Sequence, residues 1–154
     1  MLLTELITPE AIVPSLKVNS KKHALQELSD RAGLISGLAP REIFDVLLQR
    51  ERLGSTGIGE GIAIPHGKLA GAKTMFGIFA RLARPIDFDA LDGAPVDLIC
   101  LLIASESAGA DHLKALARLA RVLHDPRVTA KLRAARDVSA LYAVLTGEPA
   151  SHAA

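Results

Sequence analysis

The sequence predicts one α/β domain with helices on both faces of a β-sheet. The chain has 154 residues, the size of a single ordinary domain, and 49% of them are hydrophobic, which suits a packed core. Helical patterns come first, strands follow, and helical patterns return at the end. The run from Leu98 to Ala104 is apolar at every position. Such a run is typical of a central strand that is covered on both faces.

The N-terminal third predicts an edge strand and two helices. Val13 to Val18 is a short apolar stretch interrupted by a proline, which favours the edge of a sheet. Ser20 is the expected N-cap of the first helix, and Gly33 is its expected terminator. Pro40 suits the first position of a second helix, which Gly54 is expected to end.

The rest of the chain predicts three strands and three helices. The strands are expected at residues 62–64, 74–82 and 96–104, with the turn Pro65-His66-Gly67 ending the first. The helices are expected to begin at Asp111, Pro126 and Asp137. We expect the domain to cover residues 5–148 and residues 149–154 to form a flexible tail.

Composition excludes several classes of protein. Lys and Arg number 18 against 17 Asp and Glu, a net charge of +1, which argues against binding nucleic acid through phosphate contacts. Cys100 is the single cysteine, so the chain has no internal disulfide and no cysteine zinc site. The N-terminus lacks the pattern of a signal peptide, and no apolar run approaches the ~20 residues of a membrane span. We therefore expect a cytoplasmic protein.

Five glycines crowd the stretch from Gly54 to Gly67, which invites a nucleotide-binding interpretation. The P-loop pattern fails because no Gly-Lys-Ser/Thr is present. The dinucleotide pattern also fails, because Ile62 stands where its third glycine is required. Nucleotide binding is therefore not supported, although backbone N–H groups here could still approach an anion closely.

His66 is the strongest candidate for chemistry. It lies between Pro65, which fixes φ, and Gly67, which permits a sharp turn, at the end of a predicted strand. A rigid turn would hold the imidazole in one orientation, as a nucleophile requires. On this pattern alone, a turn histidine without chemistry is an equally good interpretation. Three other histidines are expected to have no function: His23, His124 and His152.

His112 and Arg50 are weaker candidates. His112 follows a predicted N-cap, where the helix dipole favours a neutral ring that could donate a hydrogen bond to an anion. Its position alone favours an ordinary surface residue. Arg50 could stabilise negative charge, or it could belong to a solvated helix end with Glu51 and Arg52. Six acidic residues between positions 85 and 113 are expected to form a solvated edge.

Three segments resemble the phosphotransferase-system enzyme IIA of the mannitol/fructose type (EIIA type 2). GSTGIGEGIAIPHGKL at residues 54–69 resembles the phosphorylation-site motif, and the pair Arg50-Glu51 precedes it as in the family. ESAGADHLKALA at residues 106–117 resembles the segment with the family's second active-site histidine. FDALDGAPVDLI at residues 88–99 is similar to the nitrogen-regulatory branch in particular. The resemblance covers about residues 5–148, without departure at the site positions.

This resemblance implies both a fold and a site. The fold is a three-layer sandwich, with a mixed, mainly five-stranded sheet between helices. His66 is implied to accept a phosphoryl group from the phosphohistidine of an HPr-like phosphocarrier (NPr), with His112 and Arg50 lining the same pocket. No metal or cofactor is expected, because donor and acceptor are both histidines. Further candidates for phosphate contacts are Lys68, Ser55 and Gly59.

We therefore expect a nitrogen-regulatory phosphocarrier in a phosphoenolpyruvate-dependent relay, rather than a stand-alone catalyst. It would regulate protein partners according to its phosphorylation state, without nucleic acid or membrane insertion. One alternative is a sugar-transport enzyme IIA that passes the phosphoryl group to a separate IIB component. A second is a binding module in which His66 is structural. The donor would need a shallow apolar rim around His66, and acidic residues could steer a partner if they lie near the site.

Overall fold

Six α-helices and six β-strands make up residues 2–147, the part of the chain that the computed structural model describes. The strands are β1 (Ile12–Leu16), β2 (Gly57–Gly59), β3 (Ile62–Ala63), β4 (His66–Leu69), β5 (Phe76–Ile86) and β6 (Val96–Ser105). The helices are α1 (Leu3–Leu6), α2 (Lys21–Ser36), α3 (Pro40–Arg52), α4 (Ala110–His124), α5 (Pro126–Ala134) and α6 (Val138–Thr146). No helix within this range is long and apolar enough to span a bilayer. The predicted tail at 149–154 lies outside the described residues.

The strands form one mixed sheet in the order β1-β5-β6-β3-β2, with β4 also paired to β6. β1 runs parallel to β5, and both β3 and β4 run parallel to β6, whereas the pairs β2–β3 and β5–β6 are antiparallel. β3 and β4 follow one another along β6, since Ile62 lies opposite Leu98 and His66 lies opposite Leu102. They therefore act as one interrupted strand, and the mainly five-stranded mixed sheet is confirmed.

Both faces of the sheet are covered around β6. Residues 98–104 are all 0% exposed, and successive side chains of a strand point to opposite faces. Neighbouring residues of β4 also point to opposite faces, and each contacts a different helix. Gly67 packs under Val46 of α3, and its neighbour His66 faces His112 of α4. α3 and α4 therefore lie on opposite faces, and the three-layer prediction is confirmed.

Several helix boundaries follow the predicted local signals. Ser20 caps α2 and Asp137 caps α6, each through a side-chain oxygen that accepts a backbone N–H of the first turn. Pro40 and Pro126 occupy the first positions of α3 and α5, where a missing N–H costs no helical hydrogen bond. These predictions depend only on nearby residues, and they are confirmed.

The prediction that Gly33 ends α2 is wrong. The helix continues to Ser36 and ends at Gly37, which has the left-handed φ of 77°. A Cβ on Gly33 would lie 2.7 Å from Cγ of Pro40, so the missing side chain lets α3 approach α2 closely. This tertiary contact outweighs the roughly 1 kcal/mol cost of glycine inside a helix.

The predicted cap at Asp111 is also wrong. α4 begins at Ala110, and its N-cap is Gly109, with a φ of 58°. Asp111 is the second helical residue, where its negative charge suits the positive end of the helix dipole. His112 is consequently the third residue of α4.

Pro65-His66-Gly67 is not a turn, which corrects the setting predicted for His66. His66 and Gly67 belong to β4 and pair with Leu102 and Ile103 of β6. The N–H of Leu102 donates to the carbonyl of Pro65 at 2.9 Å. Pairing with the central strand overrides the local turn preference, so His66 lies alongside β6 rather than beyond the end of a strand.

Candidate functional site

His66 is held by hydrogen bonds at both ring nitrogens. Its Nδ1 lies 2.8 Å from the carbonyl oxygen of Ile64, so Nδ1 carries the proton and donates it to that oxygen. Nε2 accepts a hydrogen bond from Nε of Arg50 at 3.3 Å. Burial is the largest cause lowering the pKa of His66, and the Arg50 charge lowers it further. The ring is therefore neutral near pH 7, with its lone pair on Nε2.

His112 faces His66 from the first turn of α4. The ring centroids are 5.5 Å apart with an interplanar angle of 67°, an edge-on arrangement. Burial lowers the pKa of His112, as do the nearby charges of His66 and Lys68. The side chain is only 7% exposed, so the interpretation as an ordinary surface residue is wrong. Its Nε2 is buried and has no hydrogen-bond partner within residues 2–147.

Arg50 is fixed in the last turn of α3 and is half-buried. Besides its contact with His66, its Nη1 donates to the carbonyl of Gly54 at 2.9 Å. The alternative of a solvated helix end is therefore correct for Arg52, which is exposed. It is wrong for Arg50 and for the buried Glu51. The two hydrogen bonds hold a planar cationic group against the lone pair of the imidazole.

Lys68 belongs to the same charged surroundings. It is exposed, and it lies two residues after His66 in β4, so both residues point to the same face of the sheet. Its positive charge is near enough to lower the pKa of His112. The structure thus brings together four of the six candidate residues: His66, His112, Arg50 and Lys68.

Ser55 and Gly59 are engaged elsewhere. The hydroxyl of Ser55 donates to the carbonyl of Phe88 at 2.7 Å and accepts the N–H of Gly57 at 3.0 Å. A Cβ built on Gly59 would point at a carboxylate oxygen of Asp92, 3.2 Å away. Both contacts join the glycine-rich segment to the loop after β5, not to the two histidines.

Sequence reasoning missed a buried polar cluster behind His66. Glu51 forms an ion pair with Lys21 at 2.9 Å, and both the N–H and the hydroxyl of Thr56 donate to its carboxylate. The ammonium of Lys21 also lies 4.9 Å from the ring centre of Phe88. Glu51 was visible only as part of a family motif, and nothing in the sequence links it to Lys21.

Two large leucines are exposed close to site residues along the chain. Leu53 directly follows α3 and is 84% exposed, and Leu113 directly follows His112 and is 68% exposed. The apolar rim that the sequence analysis expects around His66 stays a prediction.

Two acids of the predicted solvated edge also make structural contacts, and Asp92 is exposed as predicted. Asp92 accepts the N–H groups of Glu60 and Ala94, at 2.8 and 3.0 Å, and these bonds lower its pKa. Asp97 forms an ion pair with Arg133 at 2.9 Å. Asp97 comes at the start of β6, roughly 16–17 Å along the strand from Leu102, which pairs with His66. That pair is therefore structural.

The arrangement can bind and accept an electrophile that carries negative charge. It offers one neutral nitrogen with a lone pair, an arginine against that nitrogen, and a second buried imidazole whose Nε2 has no hydrogen-bond partner among residues 2–147. Within the part of the chain that the structure describes, no group of three or more His, Cys, Asp and Glu side chains could hold a metal ion.

The chain belongs to the EIIA 2 family of the phosphoenolpyruvate-dependent sugar phosphotransferase system, whose model matches residues 5–147. This confirms the resemblance to the mannitol/fructose type of enzyme IIA.

Its relatives include nitrogen regulatory proteins. It is 60% identical over 153 residues to one from Bradyrhizobium diazoefficiens, covering 99% of this chain and 100% of that protein. It is 40% identical over 147 residues to one from Pseudomonas aeruginosa, covering 93% and 94% of the two chains. The crystal structure of nitrogen regulatory protein IIA-Ntr from Neisseria meningitidis matches with a TM-score of 0.89 and 38% identity, covering 94% of this chain and 99% of that one. The fold and the similarity to the nitrogen-regulatory branch are confirmed.

Proposed function

We propose that this protein is a nitrogen-regulatory phosphocarrier that accepts a phosphoryl group on Nε2 of His66. The donor is the phosphohistidine of an HPr-like carrier (NPr) in a phosphoenolpyruvate-dependent relay. The observation that carries the proposal is the state of the His66 ring. Its Nδ1 proton is committed to the carbonyl of Ile64, and its Nε2 lone pair faces the Arg50 guanidinium.

The transfer needs no proton movement. The Nε2 lone pair of His66 attacks phosphorus, the Nε2–P bond forms, and the N–P bond of the donor breaks. The electron pair of that bond returns to the donor imidazole. The hydrogen bond from Nδ1–H of His66 to the carbonyl of Ile64 is kept throughout the transfer. This bond stabilises the positive charge that develops on the ring.

Hydrogen-bond donors that are already in place would stabilise the negative charge on the transferring group. Phosphoryl transfer spreads charge over three equatorial oxygens, so catalysis is mainly positioning and electrostatic stabilisation. The Nε–H of Arg50 leaves Nε2 and turns to a phosphoryl oxygen while Nη1 stays on Gly54. The buried Nε2 of His112, which lacks a partner within residues 2–147, is placed to donate to a second oxygen. Lys68 adds positive charge at the exposed side.

The regulatory output follows from charge. Phosphorylation adds roughly two negative charges at pH 7. These charges would appear on the face that carries His66, so that face would bind different partners in the two states. The similarity to two nitrogen regulatory proteins favours this function.

Mapping of the modified residue tests the proposal. The protein is incubated with enzyme I, NPr and labelled phosphoenolpyruvate. We expect one acid-labile, alkali-stable phosphate on His66 and no labelling of His66→Ala. His124→Ala, which removes an exposed histidine, is the control and should label normally. Normal labelling of His66→Ala would refute the assignment, and a chain that takes up no phosphate would support a binding module.

The alternative is a sugar-transport enzyme IIA, because the description of the family names a sugar phosphotransferase system. It is tested by adding IIB components to the labelled protein. Rapid transfer of label to a cysteine or histidine of a IIB component would favour the sugar-transport function. Retention of the label on His66 favours the regulatory function.

A further inference from the structure

Glu51 is a buried carboxylate next to Arg50 in sequence, and the transfer mechanism assigns it no role. Its side chain is 3% exposed and lies 2.9 Å from the ammonium of Lys21. The backbone N–H of Thr56 donates to Oε1 at 3.0 Å, and the Thr56 hydroxyl donates to Oε2. Three donors from two other segments of the chain therefore converge on one carboxylate.

The contacts of Glu51 lead to both nitrogens of His66. The carbonyl of Thr56 accepts the N–H of Ile64 at 3.0 Å, and the carbonyl of Ile64 accepts Nδ1–H of His66 at 2.8 Å. On the other side of the ring, Arg50 is the neighbour of Glu51 on α3, and it donates to Nε2 at 3.3 Å. A displacement of Glu51 would thus disturb both hydrogen-bond partners of the imidazole.

The ion pair between Glu51 and Lys21 does not lie where stability alone would favour one. Glu51 lies in the last turn of α3, where a negative charge opposes the helix dipole. Lys21 is the first residue of α2, where a positive charge opposes the dipole as well. A buried ion pair also carries a desolvation cost that an apolar pair avoids. Local rules broken in this way are expected where a function requires the geometry.

We propose that Glu51 is a positioning residue for phosphoryl transfer: its carboxylate fixes Thr56 and the last turn of α3, so that Nε2 of His66 is presented to the donor. This inference rests on the proposed function.

The charge of Glu51 has a separate effect on the same ring. Burial is the main cause lowering the pKa of His66, whereas the hydrogen bond to Ile64 and the negative charge of Glu51 raise it. Other charged or titratable groups on this side of the sheet are Arg50, His112 and Lys68. Loss of the Glu51 charge is therefore expected to lower the pKa of His66.

The test is Glu51→Gln in the full chain, with the phosphorylated HPr-like carrier as the probe. The single-turnover rate at saturating donor should fall by roughly ten- to a hundredfold, since misplacement by about 1 Å can cost 10²-fold. The donor Kd should not change, because Glu51 is buried. NMR titration should give a lower pKa for His66 than in the wild type. A wild-type rate in the folded variant would overturn the proposal, as would a loss confined to donor affinity.

Asp97→Asn is the matched control. It removes an ion pair of the same length, 2.9 Å, at the start of β6, away from the part that pairs with His66. We expect it to lower stability while leaving the transfer rate and the pKa of His66 unchanged. A loss of rate equal to that of Glu51→Gln would show that any weakened ion pair slows transfer, and it would overturn the proposal.

Thr56 keeps the proposal testable if Glu51→Gln does not fold. Thr56→Val removes the hydroxyl bond to Oε2 and keeps a β-branched side chain, whereas Thr56→Ser retains the hydroxyl. The valine variant should transfer more slowly, and the serine variant should restore most of the rate. Equal rates in both variants would contradict a positioning role for the cluster.

The two proposals fail in different ways. If His66→Ala still accepts phosphate at the normal rate, the proposed function is wrong. If His66→Ala blocks labelling while Glu51→Gln and Thr56→Val transfer at the wild-type rate, the function stands and only the positioning role is wrong.

Discussion

Replacing Gly67 by alanine should force α3 away from the strand that carries His66. A Cβ at this position would lie 2.2 Å from Cγ1 and 3.5 Å from Cβ of Val46 on α3. Valine is stiff about χ1 in a helix, so relief requires a strained rotamer or a shift of the helix. We expect the free energy of unfolding to fall by about 1–3 kcal/mol, the usual range for overpacking.

The same substitution should also slow phosphoryl transfer. α3 carries Arg50, whose Nε lies 3.3 Å from Nε2 of His66, near the limit of a hydrogen bond. A helix shift of about 1 Å would break this contact and can cost up to roughly 10²-fold in rate. A normal transfer rate in a destabilised Gly67→Ala variant would show that the clash is relieved by Val46 alone.

A double-mutant cycle measures the clash directly. Val46→Ala alone should cost about 1 kcal/mol, because two methyl groups of a half-buried side chain are removed. In Gly67→Ala/Val46→Ala the new methyl group occupies the vacated space. Urea unfolding should therefore give a favourable coupling energy of at least about 1 kcal/mol. Strictly additive losses would refute the steric reasoning.

Four further predictions follow from the site and its surroundings. His112→Ala should slow transfer by about 10²-fold, as expected for a lost transition-state donor, and a single-turnover rate equal to wild type would remove it from the site. Burial raises the pKa of Cys100 to about 12, so a thiol reagent should label it only on unfolding; rapid labelling of the folded protein would contradict its placement in β6. Burial lowers the pKa of both His66 and His112, so below about pH 6.5 the unfolded chain binds protons that the folded chain does not. Stability should therefore decrease as pH falls from about 7 to 5. The urea midpoint of His66→Ala/His112→Ala should depend less on pH than that of the wild type. An identical dependence would contradict the burial of both imidazoles in their neutral form. Lys21→Met leaves the Glu51 carboxylate buried without its cation and should cost about 3–5 kcal/mol, whereas Lys21→Met/Glu51→Leu should recover most of it by the same urea assay.

The parts of the fold that sequence predicts well depend on nearby residues. The caps at Ser20 and Asp137 are read from single side chains, and the central strand at residues 98–104 from one unbroken apolar run. Gly33 was assigned wrongly because its reason for being glycine is a contact with Pro40 on another helix. No local pattern distinguishes a glycine that ends a helix from one that admits a neighbour.

The setting of His66 shows the same limit. Proline and glycine on either side of it predict a turn, yet pairing with Leu102 of β6 draws the segment into the sheet. His66 is the candidate nucleophile on both motif and chemistry, and that role stays a prediction. Its neighbours could not be derived, because the hydrogen-bond partners of its two ring nitrogens follow from tertiary structure.

Four other candidate residues fall into two groups, one near the imidazoles and one with contacts elsewhere. Arg50 contacts His66 because α3 packs beside β4, and the charge of Lys68 acts on His112 because Lys68 belongs to β4. Ser55 and Gly59 belong to the same motif as His66, but their contacts connect the chain to the loop after β5. Proximity in a motif therefore does not establish proximity to His66.

The electrostatics of the site explain how one phosphoryl group could act as a switch. In the resting state the imidazoles of His66 and His112 both have a lowered pKa and are uncharged near neutral pH. A phosphoryl group on His66 would bring roughly two negative charges to this face, and it would raise the pKa of His112 by favouring its charged form. It would also give the buried Nε2 of His112 a hydrogen-bond partner, which it lacks within residues 2–147. The anion would therefore be stabilised by groups of the fold, and the charge it adds to this face would be available for a partner protein to detect.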